Sequence, residues 1–240
     1  MKFLILGDTH GYWHDLNVTI AKAIRQHPDI THIVQVGDFG YGFAEKPFKA
    51  SRGFFTDEEM AVYDAAHKMW LDGNHENFDK LEVDGGAWQP GWTHMGRGSI
   101  LEVDGYRMMF FGGASSIDKH MRTEGQSWWH QEDITYGQVQ QTLDTIEGPI
   151  DALFTHEHAG CIPYSDDRYK HDHAPSKGNR QMLDALVDHL KPDYCFFGHH
   201  HNADKGTVGD MEWYCCPIIE TSWYTIWTGY SVQTHWRENG

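Results

Sequence analysis

Short apolar runs, each closed by glycine and a polar side chain, recur along the chain and set its organisation. Residues 2–6, 32–36, 68–71, 151–154 and 194–197 are four or five residues long and rich in aromatic and branched side chains, a strand length rather than a helix length. Between the first two, Leu16, Ile20, Ala23 and Ile24 recur at helical spacing and Pro28 closes the segment, so the chain opens with a β-α-β unit. Thr56 with Glu59 reads as a capping box that starts a second helix. A short helix after Glu76 gives way at Asp84-Gly85-Gly86. Strands follow at 93–95 and 99–103, and Asp104-Gly105 turns the latter into a hairpin with 106–111, where a second sheet begins. Helices are expected over 133–146, ending at Glu147-Gly148-Pro149, and over 179–190. From Lys205 the chain alternates around a turn at Gly209-Asp210, with Trp213, Tyr214, Trp223, Tyr224, Trp227 and Tyr230 as strand formers expected to complete the second sheet.

Two stretches lack a period. Residues 39–55 combine glycine with aromatics and read as a loop near the rim of the sheet, placed either to meet a ligand or to pack its rings on the core. Residues 157–180, with Glu157, His158, Asp166, Asp167, Arg168, His171, Asp172 and His173, form the most polar stretch and read as a long loop serving as a lid. Trp128-Trp129 is expected to cap a core rather than to stack on a base.

The strand ends carry the chemistry. They read Gly7-Asp8-Thr9-His10-Gly11, Gly37-Asp38, Gly73-Asn74-His75-Glu76, Thr155-His156-Glu157-His158 and Gly198-His199-His200-His201. In α/β proteins the rim at the carboxyl ends of strands is where ligands bind. Alternation along an extended chain predicts that Asp8 and His10 face one cation, and that His199 and His201 share a side while His200 points elsewhere. Carboxylate, amide and imidazole without thiolate suit Mn, Fe, Zn or Ni.

Asp8-x-His10, Gly37-Asp38, Gly73-Asn74-His75-Glu76, His156 and Gly198-His199-x-His201, in this order, resemble the calcineurin-like metallophosphoesterases over residues 1 to about 202. Phe111-Gly112-Gly113-Ala114, a following Asp and Arg, and Trp128-Trp129 resemble small bacterial and bacteriophage members of that superfamily. The resemblance implies a four-layer α/β/β/α sandwich of two facing mixed sheets flanked by helices. It also implies two divalent transition-metal ions, Mn²⁺ first among them, with Asp8, His10 and His201 on one, Asn74, His156 and His199 on the other, and Asp38 between them. His75 is then implied as the general acid, and Arg122 is a candidate phosphate contact, with His120 beside it. Paired ions about 3.5–4 Å apart hold a phosphoryl group and activate water for in-line displacement.

Two positions depart from the family pattern. Tyr41 stands where many relatives carry a second Asp that orients the histidine, and Asp72 stands where protein phosphatases carry an Arg that clamps a dianionic monoester. An acidic residue there favours a singly charged phosphodiester, with nucleotide 2′,3′- or 3′,5′-cyclic phosphates leading; Arg122 or Arg180 could reach the site from elsewhere. A phosphomonoesterase or protein phosphatase, a nuclease, and a metal-binding scaffold without turnover are the rivals.

Composition narrows the remainder. The chain of 240 residues is 40% apolar, enough for a single large domain over 1–240 with its own core. A formal charge of −16 without a basic cluster argues against an extended nucleic-acid groove, and the small phosphodiester or nucleotide substrate stays an expectation of the resemblance and of position 72. Cys161, Cys195, Cys215 and Cys216 form no CxxC pair, so neither a disulfide scaffold nor a zinc ribbon is expected. The apolar run at the amino terminus is too short for a signal sequence and no stretch has membrane-spanning length, so a cytoplasmic, membrane-free protein is the expectation, with oligomeric state left open.

Overall fold

In the computed structural model, which describes residues 1–164 and 174–235, two six-stranded mixed sheets face one another. The first runs β12(Val232–His235), β11(Tyr224–Trp227), β1(Phe3–Leu6), β2(His32–Gln35), β3(His67–Trp70), β4(Thr93–His94). The second runs β5(Ser99–Val103), β6(Tyr106–Phe111), β7(Ala152–Thr155), β8(Tyr194–Phe197), β10(Met211–Cys215), β9(Asp204–Val208). Strands β1–β4 run parallel in the first sheet, as do β6, β7, β8 and β10 in the second, while β11, β12, β5 and β9 are antiparallel to their neighbours.

The strands are apolar on both faces because both faces are covered. Phe3 and Ile5 of β1 join Val34, Met69, Phe110, Phe154, Phe196 and Trp227 in the layer between the sheets. Leu4 and Leu6 point the other way, into a core shared with Leu16, Ile20 and Ile24 of α1(Trp13–Gln26), Met60 and Tyr63 of α2(Asp57–Ala65), and Phe78 and Leu81 of α3(Phe78–Asp84). Met109, Phe111, Leu153 and Phe197 do the same on the outer face of the second sheet, against Val139 of α4(Tyr136–Thr145) and Leu183 and Leu186 of α5(Ala174–Leu190). The layering is α/β/β/α, as expected. The expected capping box is present: Thr56 accepts from the Glu59 amide and Glu59 accepts from the Thr56 amide. Gly85, left-handed at φ 61°, ends α3.

Two expectations change, and one left open between two readings is resolved. The carboxyl-terminal strands divide: β9 and β10 complete the second sheet, but β11 returns to pair with β1, closing that edge and placing Trp227 between the sheets. Helix α5 begins at Ala174 rather than Asn179, because Pro175 sits in its first turn, where a missing N–H leaves no helical bond unmade. The aromatics of 39–55 pack inward: Phe39, Tyr41, Phe48 and Phe55 are buried around Trp70 and Trp92, while Phe43 remains half exposed. Trp129 is buried in the same core, as expected of a capping ring. Asp166, Asp167, Arg168, His171, Asp172 and His173, on which the lid reading rested, lie outside the described residues. Among the described residues no helix is long and apolar enough to cross a membrane.

Candidate metal centre

The carboxyl ends of β1, β2 and β3 in one sheet and of β7 and β8 in the other converge at one edge of the sandwich. There Asp8, His10, Asp38 and His201 offer ligand atoms within 4.8 Å of one another, and Asp38, His156 and His199 form a second such group. Asp38 belongs to both, and its two oxygens divide between them: Oδ2 lies 3.6 Å from His10 Nε2 and Oδ1 3.3 Å from His156 Nε2. Asn74 joins the second group, with Oδ1 3.3 Å from His156 Nε2. Glycine makes the convergence possible. A Cβ on Gly73 would lie 2.1 Å from Asp38 Oδ1, and one on Gly37 would lie 2.2 Å from the His156 ring.

Alternation does not produce this arrangement. His10, Asp38, His199 and His201 have φ of 45°, 55°, 69° and 58°, so these side chains are aimed by left-handed turns, a conformation unfavourable to residues with a Cβ and concentrated at functional sites. The turns are held by their main-chain amides: those of Thr9 and His10 donate to the Asp38 carbonyl at 3.0 and 2.8 Å, and that of His199 donates to the Asp8 side chain, at Oδ1, at 2.8 Å. His199 and His201 therefore serve different groups rather than one cation. His200 does point elsewhere, to Glu157 Oε1 at 3.1 Å.

Proton bookkeeping shows that the groups fit cations. His156 Nδ1 lies 2.8 Å from the Val36 carbonyl, which can only accept, so Nδ1 carries the proton. The Nε2 of a neutral His156 then presents a lone pair to two oxygens, from Asp38 and Asn74, an arrangement stabilised by a proton or a metal cation between them. Burial disfavours charge on His156, yet Asp38 and Asp8 overcome it and raise its pKa to about 10. In the first group His10 Nε2 and His201 Nε2 face each other at 3.0 Å and face Asp8 Oδ2 at 3.8 and 3.1 Å. Burial opposes ionisation of Asp8, but His156 and His201 outweigh it and lower its pKa. The residues present thus fit two divalent ions, which Asp8, His10, Asp38 and His201 would hold on one side and Asp38, Asn74, His156 and His199 on the other.

A sequence model described as calcineurin-like phosphoesterase matches residues 1–203. The chain belongs to that family. Its class of activity is metal-dependent phosphoester hydrolysis. Solved structures of similar fold include TT1561 of Thermus thermophilus, with a TM-score of 0.61 at 9% identity over 98% of each chain. Phosphopantetheinyl hydrolase PptH from Mycobacterium tuberculosis has a TM-score of 0.51 at 11% identity, over 91% of this chain and 90% of that one. Calcineurin-like phosphoesterase YfkN from Bacillus subtilis has a TM-score of 0.50 at 14% identity, over 98% of this chain and 88% of that one. At these identities the likeness is one of fold. No curated protein matches the chain.

Around this phosphoesterase centre the remaining residues divide. His75 donates its amide to Asp38 Oδ1 at 2.7 Å, and its ring lies 5.0 Å from that of His10. Arg122 reaches it: Nη1 is 3.2 Å from His75 Nδ1 and Nη2 is 3.4 Å from Nε2, while Asp118 Oδ1 holds Nε at 2.8 Å. Burial lowers the pKa of His75, Asp38 opposes this, and His10 and Arg122 lower it further. Tyr41 lies elsewhere, stacked on Trp70 with its hydroxyl bonded to Asp84 and to the Trp88 amide. Arg180 is committed to Glu157, and His120 is exposed. His158 is buried with Nδ1 on the Ala159 carbonyl, in a third group with Glu157 and His200, whose charge Arg180 balances.

Asp72 requires a correction. Its carboxylate is buried away from solvent in a fork of Arg97, at 3.1 Å from Nε and 2.8 Å from Nη2, with His94 at 3.4 Å. The charge is neutralised where it stands, so repulsion of a dianionic substrate by Asp72 is no longer an argument. Sequence reasoning also missed Glu76, which accepts from the Phe39, Gly40 and Tyr41 amides at 2.8, 3.1 and 2.8 Å and so fixes the loop that follows Asp38. The sequence offered only Glu76 as the last residue of Gly73-Asn74-His75-Glu76 and a glycine-rich stretch after Asp38; their meeting is long-range.

Proposed function

We propose that this chain hydrolyses small phosphodiesters, cyclic nucleotides among them, using two divalent cations, with Mn²⁺ the first to test. The observation that supports a diester is the commitment of position 72. Where a cation would clamp the second charge of a phosphomonoester there is a carboxylate, and its own counter-ion Arg97 is used up in pairing with it. A singly charged diester has less need of such a clamp.

When bound, the ions neutralise charge on the phosphoryl group and lower the pKa of coordinated water. Asp38 holds the two positions in register through its separate oxygens. His75, anchored by its amide to Asp38, offers a ring proton to the departing oxygen, and an arriving anion offsets the burial that otherwise disfavours imidazolium. Arg122 lies on the same side and donates to the phosphate or leaving oxygen, so it acts where His75 acts.

Parallel assays with Mn²⁺ are expected to give a higher kcat/KM for bis-p-nitrophenyl phosphate than for p-nitrophenyl phosphate, by about tenfold, equivalent to about 1.4 kcal/mol. A clear preference for the monoester would reverse this reading in favour of a phosphomonoesterase. His75→Ala is expected to lower kcat by about 10²-fold on a diester with an alkoxide leaving group, the lower end of general acid catalysis. The loss should be much smaller with p-nitrophenolate, which leaves without a proton; equal losses on both substrates would remove the acid role.

A further inference from the structure

We propose that Ser116 and Glu132 are positioning residues that decide which end of the Asn74 side chain faces the metal centre. This deepens the binuclear reading and rests on it. The two ends of an asparagine amide are nearly the same size, but only the oxygen has a lone pair to give to a cation. Asn74 Oδ1 faces His156 Nε2 at 3.3 Å, while Nδ2 donates to Ser116 Oγ at 3.1 Å. The orientation of the amide is therefore set by what Ser116 is able to accept.

A serine hydroxyl has one proton, and where that proton points fixes the direction of every bond behind it. Ser116 donates it to Glu132 Oε2 at 2.8 Å, and Glu132 Oε1 takes the Ser116 amide at 2.6 Å. With both oxygens of Glu132 accepting, Ser116 Oγ has only lone pairs left for Asn74, which must turn its NH₂ to the serine and its oxygen to the centre. The relay runs one way, from the Asn74 amide through the Ser116 hydroxyl to the Glu132 carboxylate. All three residues are buried, Glu132 with no exposed surface, so solvent does not compete for the bonds. The residue is anchored through its backbone: the Ala114 amide and the Arg97 side chain, through Nη2, both donate to the Glu132 carbonyl, each at 3.1 Å. Burial pushes the Glu132 pKa up to about 7, so the relay is best examined at pH 8, where the group only accepts.

A one-way relay can be reversed, and reversal is its test. In Glu132→Gln the introduced amide donates to Ser116, the serine proton turns toward Asn74, and the Asn74 oxygen is drawn away from the centre. In Asn74→Asp the single serine proton faces two carboxylates and satisfies one. Glu132→Gln is expected to weaken binding of the second Mn²⁺ by about 10–100-fold, the range for residues that orient a metal ligand, and Asn74→Asp to weaken it through the carboxylate that the serine proton leaves unsatisfied. Made together, they let the relay run backwards, from the introduced amide through Ser116 to the introduced carboxylate, and affinity should return to within about threefold of wild type rather than show the product of two losses. Equilibrium dialysis with metal analysis reads the stoichiometry, and the electron paramagnetic resonance signature of a spin-coupled Mn²⁺ pair reads its integrity, both without substrate. Losses that add in the double variant, or a Glu132→Gln chain that keeps two ions at wild-type affinity, would overturn the proposal. Should Glu132→Gln fail to fold, Ser116→Ala carries the test: loss of the second ion supports the relay, and retention at wild-type affinity overturns it. A wild-type chain that binds fewer than two ions would remove the binuclear reading itself, a failure visible before any variant is made.

Discussion

Asp38→Asn is expected to lower turnover of a phosphodiester by roughly 10³–10⁴-fold, matching the loss on exhaustive chelation of the wild type, because the ions supply several kcal/mol of transition-state stabilisation and each 1.36 kcal/mol is a decade in rate. The reason is the division of its oxygens. Oδ2 faces His10 and Oδ1 faces His156, so one substitution touches both ligand groups. An amide keeps one lone-pair oxygen but places an NH₂ against the other group, where a cation is needed. Adding Mn²⁺ should restore activity to the chelated wild type and not to the variant, and metal analysis should find fewer than two ions per variant chain. Activity of the variant within tenfold of wild type would show that Asp38 does not link the two positions.

Arg97→Met is expected to destabilise the fold by about 3–5 kcal/mol, the cost of leaving a buried charge without its partner. For a chain of this size that corresponds to a melting temperature lower by roughly 6–20 °C. Arg97 holds Asp72 with two nitrogens and also donates to the carbonyls of Gln131, Glu132 and Asp133 and to Gln138 Oε1. Burial would raise the Asp72 pKa, but Arg97 and His94 override it and hold the carboxyl well below the usual carboxylate range. A carboxyl whose folded pKa is depressed contributes stability above its unfolded value of about 3.9, and that contribution is lost as pH falls below this toward the folded value. In Arg97→Met burial is opposed only by His94 and raises the Asp72 pKa, so the difference from wild type should be largest at neutral pH, shrink as falling pH protonates the variant's carboxyl, and shrink further below about pH 4 as the wild type loses its own contribution. Asp72→Leu combined with Arg97→Met should recover much of the loss, since an apolar pair leaves no charge stranded. Thermal melts over that pH range check both statements; a single variant within about 1 kcal/mol of wild type would show that the pair contributes no more than an exposed ion pair does.

Much of the centre was legible because strand, glycine and ligand follow one another in the chain. Asp8, Asp38, Asn74, His156 and His199 each come directly after a short apolar run, and that local order survives folding. What local order did not contain was the partner across space. Asp72 looked like a negative charge at the site until Arg97, 25 residues away, was found around it. Tyr41 raised the question of what contacts His75, and the answer is Arg122, brought back by a short 3₁₀ turn and held by Asp118. The convergence of His10 with Asp8 was expected for the wrong reason, since turn geometry rather than strand alternation aims it. The same limit applies to β11: its alternation marks a strand, but nothing in it says which of two sheets has a free edge.

The order in which the ligands occur along the polypeptide has a consequence for synthesis. Each cluster draws its last member from the turn after β8, His199 for one and His201 for the other, so both are completed almost together and only once synthesis has passed that turn. A growing chain exposes the carboxylates of Asp8 and Asp38 early but cannot close either pocket around a cation. On the proposed reading hydrolysis would await that turn, since products ending before residue 199 lack one member of each cluster.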